Sequence, residues 1–156
     1  MISETGPGKP ELSFIELYHE SFGSMVRLAF ALTGSRAGAE DLVQDVFVRV
    51  HAKWSRVQEP RAYLKRSVVN ACSSAQRRRA RERHALQAVE SSVELGADEL
   101  FDALERLPYR QRAAIVLRFY EGMPDAEIAA ALGCRVGTVA SLVHRGLAEL
   151  RKVIKP

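Results

Sequence analysis

Cysteine and long apolar runs are scarce in this chain of 156 residues. The two cysteines, Cys72 and Cys134, lie in no CxxC or other metal-ligand spacing, which argues against a disulfide framework or a metal site. No apolar run approaches the roughly 20 residues that a membrane span needs, and Met1–Pro10 lacks the basic and apolar regions of a signal peptide. We therefore expect a cytoplasmic protein with reduced thiols, no membrane insertion and no cofactor.

Catalytic patterns and strand patterns are missing as well. The sequence contains no evident nucleophile–base pair, glycine-rich phosphate loop or metal cluster. Aromatic residues make up only 7% of the chain, no strand-type alternation lasts long enough for a sheet, and Ala, Leu, Arg and Glu are abundant. These features predict an all-α protein without enzymatic activity.

Charge is distributed in blocks along the chain, whose formal net charge is +4. Residues 10–84 carry a net +5, residues 85–100 a net −4 and residues 101–156 a net +3. A basic balance favours an acidic partner such as nucleic acid. The pattern predicts a disordered N-terminus over 1–10, a helical domain over 11–84, an acidic linker over 85–100 and a second helical domain over 101–156.

Apolar residues recur at three- and four-residue steps in most of the chain, which is helical periodicity. This spacing predicts helices over about Glu11–Leu32, Ala37–Trp54 and Arg61–Arg83, with Pro60 at the first turn of the third. His84–Leu100 is less periodic, and we expect a linker with partial helix there. Beyond it the sequence predicts three helices punctuated by Pro108, Gly122–Pro124 and Gly133, and a last helix from Val136 to about Val153.

The last two helices have the layout of a helix-turn-helix. Asp125–Leu132 is followed by a short turn at Gly133, where a left-handed backbone is easiest, and then by the helix from Val136. The apolar spacing leaves a set of mostly polar residues facing outward, where they could meet base edges in a major groove. An ordinary helical packing unit with a solvated face would give the same pattern. The outward set is Thr138, Ser141, Leu142, His144 and Arg145.

Two motif blocks resemble a known family, the extracytoplasmic-function (group 4) sigma factors of bacterial RNA polymerase, and especially the sigma-E-type subset of actinomycetes. "LTGSRAGAEDLVQDVFVRVHAKW" followed by "PRAYLKRSVVNACSSAQRRRARER" is similar to sigma region 2. "LERLPYRQRAAIVLRFYEGMPDAEIAAALGCRVGTVASLVHRGLAELR" is similar to sigma region 4. The resemblance implies a promoter-specificity subunit that binds core polymerase and directs initiation at −35 and −10 promoter elements, with an anti-sigma factor as its inhibitor.

For the first block, the resemblance implies one surface for polymerase and one for melted −10 DNA. The docking surface would be Asp41, Gln44, Asp45 and Val48, which share one helix face by their spacing. Asn70 matches a position associated with capture of a flipped base. A plain solvated face, or a helix-capping Asn, would explain the same residues. The remaining −10 candidates are Tyr63, Lys65, Arg66, Arg77, Arg78, Arg79, Arg81 and Arg83.

For the second block, the resemblance implies duplex reading of the −35 element by the outward set, with backbone contacts from Arg110, Arg112 and Arg118. Ala140 and Leu142 stand where relatives often carry basic residues, so we expect this helix alone to bind its promoter poorly and Arg145 to matter most. The acidic residues Glu90, Glu94, Asp98 and Glu99 would thread the polymerase cleft, although a solubilising linker explains them as well.

Two other functions are compatible with part of the pattern. A stand-alone helix-turn-helix regulator would bind duplex DNA without polymerase, but it needs neither "AEDLVQD" nor a melting segment. A sigma-like interaction protein would occupy a partner without initiating transcription. The departures at Ala140, Leu142 and Ala75–Gln76 keep that alternative open.

Overall fold

The computed structural model describes residues 12–85 and 99–154, the side chains of 83–85 excepted, and every regular element in those ranges is helical. The prediction of an all-α fold is therefore confirmed. The helices are α1 (Phe14–Thr33), α2 (Arg36–Ala52), a 3-10 turn (Trp54–Arg56), α3 (Pro60–Ala85), α4 (Glu99–Arg106), α5 (Tyr109–Ile115) with a π-helical continuation (Val116–Tyr120), α6 (Asp125–Leu132) and α7 (Val136–Val153).

Helices α1 to α3 pack on one another and form an N-terminal group. Ser13 and Glu16 cap the start of α1 reciprocally, so this helix begins at Phe14 and not at Glu11 as the periodicity suggested. Gly34 ends α1 with φ of 75°, a left-handed conformation that glycine adopts without steric cost. The hydroxyl of Ser35 then accepts a hydrogen bond from the Gly38 amide and starts α2.

Helices α4 to α7 form a C-terminal group. The backbone amide of Glu121 donates to the carbonyl of Val116 at 3.2 Å, which closes the π-helical turn after α5. Gly133, with φ of 66°, ends α6 and turns the chain into α7. Helix α7 begins and ends where the sequence predicted, at Val136 and Val153.

Buried apolar side chains from both groups belong to one continuous cluster. Helices α1 and α3 of the N-terminal group contact α5, the π-helical turn and α6 of the C-terminal group. The sequence predicted two helical units but did not predict that they pack against each other.

Most of the expected linker lies outside the described residues, as does the N-terminal segment 1–10. Of its two ends, His84 and Ala85 belong to α3, while Glu99 and Leu100 begin α4. Over the described ranges no single helix is both long and apolar enough to cross a bilayer, and only α6 and α7 together, bent by 92°, meet the length and composition of a span.

Candidate nucleic-acid and partner interfaces

One face of α2 is exposed along its length and carries the four expected docking residues. Asp41, Gln44, Asp45 and Val48 are all exposed, and Val48 keeps 69% of its surface accessible although it is apolar. The opposite face buries Val43, Val46, Phe47 and Val50 in the core. An exposed valine one turn after two carboxylates is suited to a partner helix that offers basic and apolar side chains.

A groove of about 470 Å³ lies between α2 and α3. Asn70 is exposed at its wall, and Tyr63 is half-buried there with its ring packed on the core. The groove combines amide, hydroxyl and guanidinium groups with one aromatic ring, a set that can bond and stack on an unpaired base. Its polar lining residues include Asp45, Arg49, Lys53, Tyr63, Ser67, Asn70, Ser74 and Arg78.

The arginines at the end of α3 differ in their surroundings. Arg77, Arg78 and Arg81 are exposed, and Arg66 is exposed one turn before Asn70. Arg79 is half-buried and donates to the carbonyl of Thr33 at the end of α1 at 3.3 Å, so its guanidinium is engaged in holding two helices together. The side chain of Arg83 lies outside the described ones.

Lys65 faces the C-terminal group and not the groove. Its ammonium lies 3.0 Å from the carboxylate of Glu121, whose side chain is only 11% exposed. The Lys65 side chain is 33% exposed and its ammonium has three donors, so the ion pair takes up part of its hydrogen-bonding capacity and competes with the predicted DNA contact.

In the helix-turn-helix, Ser141, His144 and Arg145 are exposed on α7, and Thr138 is half-buried. Val139, Val143 and Leu150 bury the other face against α5 and α6. Leu142 was expected to face outward; it is half-buried and packs on the core cluster, so only part of its surface remains for the predicted base contact, which stays a prediction. An apolar side chain at the flank of a helix folds back onto apolar neighbours when they lie within reach.

Three arginines were expected to contact the DNA backbone beside this motif. For Arg112 the expectation is wrong: it is 6% exposed, donates to the carbonyl of Glu105 at 3.3 Å and lies 5.5 Å from the centre of the Tyr109 ring. Arg118 pairs with Asp125 at 2.9 Å and so holds the π-helical turn to α6. Arg110 is exposed and donates to the carbonyl of Leu132 at the turn, which leaves it beside the motif.

Some residues at these surfaces were not singled out from the sequence. Arg49 and Lys53 line the groove from α2, and their place opposite Asn70 follows only from the packing of two helices. Arg135 is exposed at the N-cap of α7, the end of the helix that would enter DNA first. Its position directly before the predicted helix was a usable signal.

Burial raises the pKa of two side chains, Tyr109 and Cys72, well above their usual values. Burial raises the pKa of the Tyr109 hydroxyl to about 12, although a hydrogen bond with Ser73 of α3, 3.2 Å between oxygens, acts in the opposite direction. Burial also raises the pKa of the Cys72 thiol to about 12, so this thiol stays protonated and unreactive at neutral pH. Within the described residues no cluster of His, Cys, Asp and Glu could hold a metal ion.

Comparison with known proteins gives consistent matches over most of the chain. The family model described as Sigma-70 region 2 matches residues 17–82, and the model described as Sigma-70, region 4 matches residues 97–150. The RNA polymerase sigma-E factor of Streptomyces avermitilis is 35% identical over 92% of this chain and 86% of that protein. The ECF RNA polymerase sigma factor SigE of Mycolicibacterium smegmatis is 36% identical over 94% of this chain and 63% of that protein.

A solved structure matches at the level of the whole fold. The sigma factor RpoE from Bartonella quintana, crystallised in complex with the anti-sigma factor NepR, superposes with a TM-score of 0.72 at 27% sequence identity. The match covers 90% of this chain and 95% of that one.

Proposed function

The chain belongs to the extracytoplasmic-function sigma factors of bacterial RNA polymerase, and we propose which of its surfaces perform the work of such a promoter-specificity subunit. The exposed face of α2 docks on core polymerase. The groove between α2 and α3 takes the melted −10 element, and α7 reads the −35 duplex. Members of this family are non-catalytic initiation factors.

The observation that carries the docking assignment is the exposed α2 face with two carboxylates beside Val48. Carboxylates four residues apart on one face suit a basic partner helix. We expect Asp41→Lys combined with Asp45→Lys to abolish binding to core polymerase while helicity and unfolding temperature stay close to those of the wild type. Retention of labelled core on the immobilised chain measures this.

A matched control keeps the same charge change away from that face. Glu59 and Glu82 are exposed acids that lie outside α2, before α3 and near its end, so Glu59→Lys combined with Glu82→Lys has the same net charge as the test variant. We expect the control to retain core binding. Equal affinity of the test variant and the wild type for core polymerase would contradict the docking assignment. An equal loss of affinity in the test and control variants would show that binding depends on net charge and not on this face.

For the −10 element, the support is the position of Asn70 at a groove that also offers Tyr63 and several cations. An amide donates and accepts, so it can pair with a base edge, and an aromatic ring gives a stacking surface. We expect Asn70→Ala to weaken binding of a single-stranded −10 oligonucleotide by the assembled holoenzyme about tenfold, the loss from one or two hydrogen bonds. Binding of a duplex containing only the −35 element should be unchanged. A loss on both DNAs would instead indicate a folding defect.

The −35 assignment rests on the exposed, mostly polar outer face of α7. Besides Arg135, Arg151 and Lys152 at the ends of the helix, the basic side chains of this face are His144 and Arg145. Core polymerase and the −10 contacts act on the same DNA molecule, so a weak helix is sufficient within the assembly.

We also propose an anti-sigma factor as the inhibitor and the cytoplasm as the site of action. The support for the inhibitor is the likeness to RpoE, which was crystallised with one. The proposed domain limits, 11–84 and 101–156 around an acidic linker, are supported by the grouping of α1–α3 and α4–α7.

Reconstitution with core polymerase tests the whole proposal. We expect promoter-dependent runoff transcripts. Binding to polymerase without transcripts would favour the interaction protein, and tight duplex binding without polymerase would favour the stand-alone regulator.

A further inference from the structure

Gly137 is the second residue of α7, and the packing around it does not explain why it is glycine. The residue is exposed, and its backbone is not left-handed. A Cβ built there would meet no atom of the described residues within 4 Å beyond the adjacent backbone. Glycine makes a helix less stable than alanine does, because it loses more backbone freedom on folding. The fold therefore does not require the missing side chain, whereas a partner that approaches α7 closely would.

The other described glycines of the C-terminal group have structural reasons. Gly122 and Gly133 have φ of 64° and 66°, where a Cβ is strained. Gly146 is buried where α7 meets α5. Among these glycines, Gly137 alone combines an ordinary helical backbone with open space around it.

Gly137 lies at the end of α7 that would meet DNA first. It shares the outer face of the helix with Ser141, which is exposed one turn further on. Because Cα–Cβ bonds in a helix tilt toward its N-terminus, a side chain at position 137 would project outward and toward that end. The N-terminal residues of a recognition helix are those that contact base edges in the major groove. Without a side chain, the first turn can approach those edges closely.

The hydroxyl of Ser141 is turned toward Gly137. It donates to the Gly137 carbonyl, with 3.5 Å between the two oxygens. A hydroxyl that donates one hydrogen bond keeps lone pairs that accept others. In the major groove, the hydrogen-bond donors are the exocyclic amino groups of adenine and cytosine. The open space at Gly137 therefore lies beside an acceptor that suits such an amino group.

We propose that Gly137 is a specificity-determining residue for reading of the −35 duplex. Its missing side chain leaves room for the exocyclic amino group of one base, adenine or cytosine, to donate to the Ser141 hydroxyl. Gly137 thus contributes space and no contact of its own. The inference rests on the proposed function of α7.

The probe for the test is the duplex that wild-type holoenzyme enriches from a pool of randomised duplexes. Gly137→Ala should weaken binding of this duplex by the holoenzyme about tenfold, the loss expected from one mismatched base pair. Binding of a scrambled duplex should be unchanged, because non-specific binding is to phosphates. The unfolding temperature of the free chain should rise by about 2 °C, since alanine is the better helix former. Undiminished affinity, or a loss of affinity together with a lower unfolding temperature, would overturn the proposal.

The matched control is Gly23→Ala. Gly23 is exposed inside α1, outside the helix-turn-helix, and a Cβ there would make only an ordinary contact with the end of the Arg27 side chain, at 3.5 Å. This variant should gain a similar increase in unfolding temperature and bind the selected duplex like the wild type. An equal loss of affinity in both glycine variants would contradict a specific role of Gly137.

A double-mutant cycle tests the link to Ser141. Ser141→Ala should weaken binding of the selected duplex about fivefold, the loss from one hydrogen bond. The double variant should bind no more weakly than Gly137→Ala alone, because both changes remove the same contact. Additive losses would overturn the shared contact.

Base analogues distinguish the two possible donors. Purine in place of each adenine in turn, or 2-pyrimidinone in place of each cytosine, removes one amino group at a time. At one position the wild type should lose about fivefold in affinity and Ser141→Ala should lose nothing, which identifies the base. The absence of any such position would overturn the proposal.

Failure of the proposed function would look different from failure of this inference. If α7 does not read DNA, neither Gly137→Ala nor Arg145→Ala will change the affinity of the holoenzyme for the selected duplex. If only the role of Gly137 is wrong, Arg145→Ala will weaken binding and Gly137→Ala will not.

Discussion

Gly146 allows α7 to lie directly against α5, and enlarging this residue tests how closely the two helices pack. The residue is buried, and a Cβ added there would lie 2.5 Å from Ile115 Cδ1 and 3.4 Å from Gln111 Cβ. Overpacking of this kind costs about 1–3 kcal/mol, while replacing glycine by alanine inside a helix gains about 1 kcal/mol. We therefore expect Gly146→Ala to lower the free energy of unfolding by about 1 kcal/mol.

The clash involves one methyl group, the Cδ1 of Ile115. If that methyl is removed, Gly146→Ala should raise the free energy of unfolding and no longer lower it. Ile115→Val alone costs about 1 kcal/mol, because Ile115 is buried. In the Ile115→Val background the nearest remaining atom is Gln111 Cβ at an ordinary contact distance, so Gly146→Ala should stabilise by about 1 kcal/mol. Urea unfolding followed by far-UV circular dichroism gives the free energy of unfolding of the wild type, the two single variants and the double variant, which together form a double-mutant cycle. A coupling energy near zero, in place of about 2 kcal/mol, would refute the reasoning.

Three further predictions concern other parts of the chain. Arg112→Met should lower the free energy of unfolding by about 2 kcal/mol, because the Glu105 carbonyl loses its donor. At a temperature where this variant is folded, the affinity of the holoenzyme for a −35 duplex in a filter-binding assay should change less than twofold. Arg145→Ala should weaken that affinity about tenfold, whereas the control Arg151→Ala, at the far end of α7, should not. Raising the pH above about 10 should weaken the contact between the two helical groups, because burial raises the pKa of the Tyr109 phenol to about 12. The stability that the neutral phenol contributes is fully present below pH 10 and falls by up to roughly 2–3 kcal/mol as the pH approaches 12. The free energy of unfolding in urea, measured across this range for the wild type and for Tyr109→Phe, should fall more for the wild type.

The helices were largely predictable because their signals are local. Pro60, Gly133 and the apolar spacing after Val136 act through the backbone of adjacent residues, and the corresponding helix ends fall at or next to the expected positions. Where the prediction was off by a few residues, as at the start of α1, the reason is again local: the reciprocal capping of Ser13 and Glu16.

The surroundings of individual side chains were not predictable in the same way. Arg112 reads as one more exposed cation in a basic segment, yet it is buried beside Tyr109. Arg79 sits in a run of arginines but is bound to the end of α1. Both outcomes depend on which helix lies opposite, and periodicity within one helix carries no information about that neighbour.

The pairing of Lys65 with Glu121 is the extreme case, because the two residues are 56 positions apart and belong to different helical groups. Their charges were visible in the sequence, and so was the resemblance that placed Lys65 on a DNA-binding helix. Nothing in the spacing indicated that the two groups would meet.

Because of the π-helical turn at Val116–Tyr120, the contact between Lys65 and Glu121 is sensitive to the insertion or deletion of a single residue. A π turn holds one residue more than an α turn, so everything after it is shifted by one position, which is about 100° around a helix. Deleting one residue from this turn would restore α-helical bonding and rotate Glu121 away from Lys65. We therefore expect a single-residue length difference here to remove the ion pair between Lys65 and Glu121 while α3 and α7 keep their sequences, which makes this turn a place where otherwise similar chains can differ in how their two helical groups pack.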